Sequence, residues 1–216
     1  FKTNKDGIKT LKNLKLAKDK ISASMSSGTN KKIVPDRKAV IVVGASGSGK
    51  STIINQLGLK DQGFEVINPD FALEKGMKKA GLPKDMNEFT REQSDKWRDL
   101  QYDSCQDVSN LKAKRRETGK SVVVHSTGAQ RASIERSIRE FKQAGYDVQI
   151  MFVDSSLETA LARNKARPER VLTDTTVKNS YESVQANKKR FKELSTIEGK
   201  VDFVEINTDK LKQDQP

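Results

Sequence analysis

Apolar positions along the chain fall into short continuous runs, separated by longer stretches of helical spacing. Ala39-Val40-Ile41-Val42-Val43 is unbroken, Ser121–Val124 carries three consecutive valines, and Val148–Val153 is a further run. Gly63-Phe64-Glu65-Val66-Ile67 and Val201–Ile206 are shorter or mixed. Such runs, rich in β-branched residues and bounded by Gly, Pro or Asp, read as buried strands. The spacing between them predicts helices from the residues after Val43 to about Gly58, from Phe71 to Lys79, and over about 90–117, where Gly119 ends the pattern. Three more are predicted over 130–143, ending near Gly145, over Ser156–Asn164, and over about 176–195. Strands alternating with helices predict an α/β fold, a mostly parallel sheet with helices on both faces. Ligands of such sheets bind beyond the carboxyl ends of the strands. Three polar clusters follow strands directly and are brought to that edge: residues 44–51, Asn68-Pro69-Asp70, and His125-Ser126-Thr127-Gly128.

The first of these clusters changes the picture most. Gly44-Ala45-Ser46-Gly47-Ser48-Gly49-Lys50-Ser51 matches the phosphate-loop pattern G-x-x-x-x-G-K-S/T, and Thr52-Ile53-Ile54 continues it into a helix. A strand, a glycine loop and a helix form the context that this motif requires. Its glycines let backbone N–H groups turn inward around a phosphate, and the helix N-terminus adds its free amides. Residues 44–52 are therefore the expected nucleoside triphosphate cradle. In it Lys50 reaches the β- and γ-phosphates and Ser51 is the magnesium ligand.

Length and charge bound the rest. The chain has 216 residues and a formal charge of +12. One α/β domain over 39–216, preceded by a basic extension and linker over 1–38, is the simplest division. Residues 1–38 hold eleven Lys and Arg against three Asp, so the extension carries +8 and the domain only +4. In the extension Ile8, Leu11, Leu14, Leu16 and Ile21 alternate with lysines, the spacing of a short amphipathic helix. Such a segment is either a helix or solvated extension with no specific ligand, or a helix that packs on its own domain, on a protein partner, or on an anionic surface such as nucleic acid. Ser22–Asn30 reads as a linker. Cys105 is the single cysteine, which excludes an internal disulfide framework and fits a reducing compartment. No run approaches membrane-spanning length and no signal-peptide pattern is present, so the expected location is cytoplasmic.

Four further groups carry candidate chemistry. Asp70 follows a strand behind the rigid Pro69. It is the expected base for a phosphoryl acceptor hydroxyl, with a helix cap as the alternative reading. Arg163, Arg167 and Arg170 lie in one charged segment, and the first two share a helix face. An anion such as a transferring phosphoryl group would relieve their repulsion. His125, the only histidine, cannot build a histidine-cluster metal site. With Asn68, Ser126 and Thr127 it is expected to contact substrate. Asp154 reads as a helix start before Ser155-Ser156. The strand ending at Val124 lacks the carboxylate that a motor-type ATPase positions there, and no N-K-x-D pattern marks a guanine site. The purine is expected near Ile206-Asn207-Thr208-Asp209, close to Arg163.

The ordered set resembles the zeta-toxin and polynucleotide-kinase branch of the phosphate-loop kinases over about residues 39–209. Val66-Ile67-Asn68-Pro69-Asp70 resembles the element whose aspartate activates the acceptor. Val122–Gly128 resembles the strand that lines the substrate pocket. Phe152-Val153-Asp154 through Arg163 resembles the approach to an arginine-bearing lid. The resemblance implies a nucleotide-kinase-like P-loop NTPase fold and an enzyme using ATP and Mg2+. It would phosphorylate a hydroxyl of a nucleotide, a nucleotide sugar or a nucleic-acid 5′ end, with Arg163, Arg167 and Arg170 as lid arginines. The chain departs from the polynucleotide-kinase pattern at Leu73, where a basic residue is usual three positions after the aspartate. A nucleotide-binding assembly protein, docked through its extension, and an ATPase or nucleotide switch are the competing classes.

Overall fold

A computed structural model describes residues 37–197 and 201–210, and the isolated positions Lys15 and Asp19. Apart from those two positions, the expected amphipathic helix and linker of the extension lie outside the described residues. Five parallel strands form one sheet: β1 (Lys38–Val43), β2 (Glu65–Ile67), β3 (Val122–Ser126), β4 (Asp147–Asp154) and β5 (Val201–Asn207). Their order is β2-β3-β1-β4-β5. The chain therefore leaves β1 for the β2 edge, returns through β3, and crosses to β4 on the other side. β1 is central, hydrogen-bonded to both β3 and β4, and all six of its residues are buried.

The alternation along β1 sorts the helices. Ala39, Ile41 and Val43 face a layer containing Ile134, Ile138 and Phe141 of α4 (Arg131–Gln143), and Val184, Phe191 and Leu194 of α6 (Asp174–Ile197). Val40 and Val42 face Ile53 and Ile54 of α1 (Lys50–Gln56), with Leu57, Leu59 and Phe64 beyond it. Helices thus cover both faces, as the strand–helix alternation predicts. Phe141, Phe152 and Phe191 are fully enclosed, and truncating any one to alanine costs about 3–5 kcal/mol.

Two further helices build the β2 edge. α2 (Pro69–Lys79) starts two residues earlier than the spacing predicts, because Pro69 takes the first helical position and Asn68 caps it. α3 (Arg91–Thr118) opens with a capping box between Thr90 and Gln93 and stops at Gly119, whose φ of 71° is left-handed. Among its 28 residues only Ser104 is buried, and its hydroxyl donates to the Pro69 carbonyl at 2.5 Å. α3 leans on α2 where Leu100 meets Gly76. β3 runs two residues past the predicted Val124, because His125 and Ser126 pair with Val42 and Val43 of β1. α5 (Leu157–Lys165) follows β4 and packs against α6 through Ala160, Leu172 and Val177. Among the described residues no helix is long and apolar enough to cross a membrane.

Candidate active site

The phosphate loop leaves β1 at the sheet's carboxyl edge and is pressed close to its neighbours. A Cβ on Gly44 would lie 2.3 Å from the Val153 carbonyl oxygen. At Gly47, φ is +82° and a Cβ would lie 2.2 Å from the Ala160 carbonyl oxygen. Only glycine fits either place, so the loop is wedged between β4 and α5. Lys50 is buried, and its ammonium donates to the carbonyls of Gly44 at 2.7 Å and Ala45 at 2.8 Å. Ser51 Oγ lies 3.5 Å from His125 Nε2. The Ser46 amide donates to Ser180 Oγ at 3.3 Å, while the buried Ser48 hydroxyl has no hydrogen-bond partner among the described residues.

Three segments close around the loop. From α5, Arg163 donates to Thr208 Oγ1 at 2.8 Å and to the Thr208 carbonyl at 2.7 Å. The Thr208 hydroxyl in turn donates to the Ser48 carbonyl at 2.8 Å. The expected proximity of Arg163 to the 206–209 segment is therefore present. From α2, Asp70 Oδ1 accepts from Arg170 Nη2 at 2.5 Å, and Glu74 Oε1 lies 3.7 Å from Arg170 Nε. Arg170 is 5% exposed, so it is a buried strut behind Asp70 rather than a surface lid residue. From the connection after α5, Arg167 reaches the same space.

The result is a cleft of about 370 Å3. Its loop side is lined by Gly47, Gly49, Lys50, Ser51 and Thr52. Asn68, Asp70, His125, Arg163 and Arg167, all singled out from the sequence, line the rest, with Phe71, Glu74, Pro168 and Glu169 added. Gly44, Ala45, Ser46 and Ser48 belong to the loop but lie outside the cleft lining. Ser126 and Thr127 also lie outside it, and their hydroxyls accept from the amides of Gly128 and Ala129. Asp154 is not the cap of α5. Ser156 Oγ accepts from the Thr159 amide, and Asp154 is held by Gln185 at 2.7 Å and Lys188 at 2.9 Å. Asp70 is not the cap of α2 either, since Asn68 Oδ1 accepts from the Asp70 amide at 3.0 Å.

A family model described as an AAA domain matches residues 40–194. The chain belongs to this family, AAA_33. It is thereby placed among the kinase-like phosphotransferases of the phosphate-loop class, as its ordered motifs predict. It is 29% identical over 184 residues to a protein of Autographa californica nuclear polyhedrosis virus named as a bifunctional polynucleotide kinase/RNA ligase. That match takes in 83% of this chain and a quarter (25%) of the relative's length. Among solved structures, it is similar to the AvrRxo1-ORF1:-ORF2 complex with ATP (TM-score 0.60, 17% identity, 92% of this chain and 63% of that one). It is also similar to a protein of Chloroflexus aurantiacus described as a kinase (0.55, 16%, 82% and 91%). A third likeness is to a chain of the Pnkp1/Rnl/Hen1 RNA repair complex (0.51, 16%, 71% and 46%). At these identities the structures share the fold.

The charges of this AAA_33 domain act on one another across the cleft. Burial lowers Lys50 from 10.5 to about 7, with Arg167 and Arg170 adding to the effect and Asp70 opposing it. Burial and Lys50 lower His125 to about 3, so its ring is neutral at physiological pH. Burial alone would raise the Asp70 carboxyl, but Arg170, with Arg167 and Lys50, holds it below the usual carboxylate range. Glu74 is raised by burial and by Asp70. Among the described residues no group of three or more His, Cys, Asp or Glu is arranged to hold a metal. The donors fit magnesium in another way: Ser51 offers one oxygen, and this ion takes its remaining ligands from phosphates and water. The residues missed from the sequence carried a usable signal. Phe71 and Glu74 lie one and four positions after Asp70, on the same side of a helix.

Proposed function

We propose that the chain transfers the γ-phosphate of ATP to a hydroxyl of a nucleotide, a nucleotide sugar or a nucleic-acid 5′ end. The observation that carries this reading is Asp70, a carboxylate kept ionised by Arg170 at 2.5 Å, lining one cleft with Lys50 and Ser51. Resemblance to a polynucleotide kinase/RNA ligase supports a nucleotide-type acceptor. The basic segment 1–38 is the proposed contact for a nucleic acid or protein partner.

The loop amides and Lys50 hold the β- and γ-phosphates. Phosphate gives Lys50 the counter-charge that two carbonyls do not, which restores its ammonium form. Magnesium, when bound at Ser51, neutralises charge between the β- and γ-phosphates. The Asp70 oxygen not held by Arg170 takes the acceptor proton. The acceptor oxygen then bonds to the γ-phosphorus as the bond to the bridging oxygen breaks, and ADP leaves. Arg167 has no hydrogen bond or ion pair through its side chain among the described residues, and it turns toward the transferring group. Arg163, fixed by Thr208, borders the purine. Catalysis is then positioning and charge stabilisation.

The test is incubation with labelled ATP and a panel of nucleosides, nucleotide sugars and 5′-hydroxyl oligonucleotides, followed by mass spectrometry of the product. A phosphorylated acceptor is expected. ATP bound tightly with no acceptor phosphorylated would favour a nucleotide-binding assembly protein instead.

A further inference from the structure

The acceptor side of the cleft has a chemistry that narrows the substrate. α2 presents Asp70, Phe71 and Glu74 to the cleft, while Leu73 and Met77 of the same helix are buried. Phe71 is 56% exposed, so its ring face is open, and it follows the proposed base directly in the chain. Pro168 and Glu169, from the connection after α5, also line the cleft. Of the two carboxylates that α2 contributes, Arg170 lies in hydrogen-bond contact only with Asp70 and at 3.7 Å from Glu74. Leu73 is 3% exposed and does not line the cleft, whereas Glu74 does.

We propose that Phe71, Glu74 and Glu169 select a nucleoside-type acceptor: an uncharged ribose hydroxyl whose base stacks on Phe71. This rests on the kinase reading and shifts its acceptor from phosphorylated nucleotides and nucleic-acid ends to a free nucleoside. A flat heteroaromatic ring fits the open face of Phe71, where stacking on an aromatic side chain is sequence-tolerant and strong. A ribose diol offers hydroxyl donors to Glu74 and Glu169, which as carboxylates accept and do not donate. A phosphate next to the reacting hydroxyl would face these same carboxylates, and like charges at short range in a partly enclosed site repel strongly. The acceptor end is thus selected against phosphate, whereas the loop end is built for it.

The experiment compares each nucleoside with its 3′-phosphate and with a 5′-hydroxyl oligonucleotide, in the full chain. Turnover is measured with ATP, and binding by calorimetry with a non-hydrolysable ATP analogue. The free nucleoside is expected to exceed its 3′-phosphate by about tenfold or more in kcat/KM and in affinity. Phe71→Ala, at an exposed position, should weaken nucleoside binding by about tenfold or more, within the range of lost base stacking. Glu169→Gln should narrow the discrimination against the 3′-phosphate. Equal or reversed preference, or Phe71→Ala binding as well as the parent, overturns the proposal. Discriminating nucleoside binding without transfer to any acceptor would uphold this wall and overturn the kinase reading instead.

Discussion

At the scale of single residues the cleft holds two charges in tension, and each gives a measurable prediction. Lys50 is a buried ammonium whose partners are two carbonyls. Lys50→Met is expected to abolish ATP-dependent transfer by removing the charge on the β- and γ-phosphates. The parent carries a further signature. Lys50 sits at about 7 in the folded protein against 10.5 as a free side chain. Between those values the unfolded chain binds more protons, so this group makes stability rise with pH across that window. Thermal melts of the ligand-free parent should gain from pH 7 to pH 10, and Lys50→Met should lack that part of the gain; identical pH profiles would contradict it. Asp70→Asn is expected to lower kcat by about 10²–10⁴ while leaving ATP affinity in place. The helix cap survives because Asn68 provides it, but Arg170 loses its close carboxylate. Stability should therefore fall by about 2 kcal/mol, less than for a fully buried pair because Asp70 is partly open to solvent. Turnover within tenfold of the parent would remove Asp70 from the role of base. The parent's kcat should also decline only at low pH, since the carboxyl is held below its usual range and must be ionised to accept a proton.

At the scale of elements, local chemistry was legible and distant pairing was not. Apolar runs announced β1, β3 and β4 because strands buried on both faces are nearly continuous in apolar residues. The phosphate loop was legible because its glycines answer to backbone crowding written into one contiguous motif. Asp154 was misread because an acid before two serines looks like a cap, and nothing local reveals Lys188, 34 residues later, which claims it. Arg170 was read from the sequence as a lid arginine. Its burial against Asp70, 100 residues earlier, is a product of the tertiary fold. The wedge between loop and α5 is likewise visible only in three dimensions, and it can be tested. Gly47→Ala must place a methyl against the Ala160 carbonyl and hold a positive φ. The loop should shift, and ATP affinity should drop by about tenfold or more while the protein still melts cooperatively. Isothermal titration with ATP checks this, and unchanged affinity would show that the loop tolerates displacement.

For the whole molecule the distribution of charge matters more than its sum. The net +12 is divided between +8 in residues 1–38 and +4 in the rest. Within the domain, residues 111–143 form one basic stretch, with nine Lys and Arg against three Glu. Several of these are engaged: Arg115 pairs with Glu65, Arg116 with Glu140 and Arg131 with Glu135. The extension has the larger excess, +8 against +6 for residues 111–143, so it should dominate any contact with a phosphate backbone. Each phosphate neutralised releases counterions, which makes such binding fall steeply with salt. The full chain is therefore expected to bind a single-stranded oligonucleotide with a steep negative slope of log affinity against log salt. A chain lacking residues 1–30 should lose most of that slope and of the affinity at low salt, while binding ATP as before through a cleft built entirely from residues after 43. If the extension instead packs on the domain through Leu11, Leu14 and Ile21, the shortened chain will melt at a lower temperature and the salt slope will be unchanged. A salt titration of oligonucleotide binding beside thermal melts of both chains separates the two, and equal slopes with equal melting temperatures would assign the extension neither role.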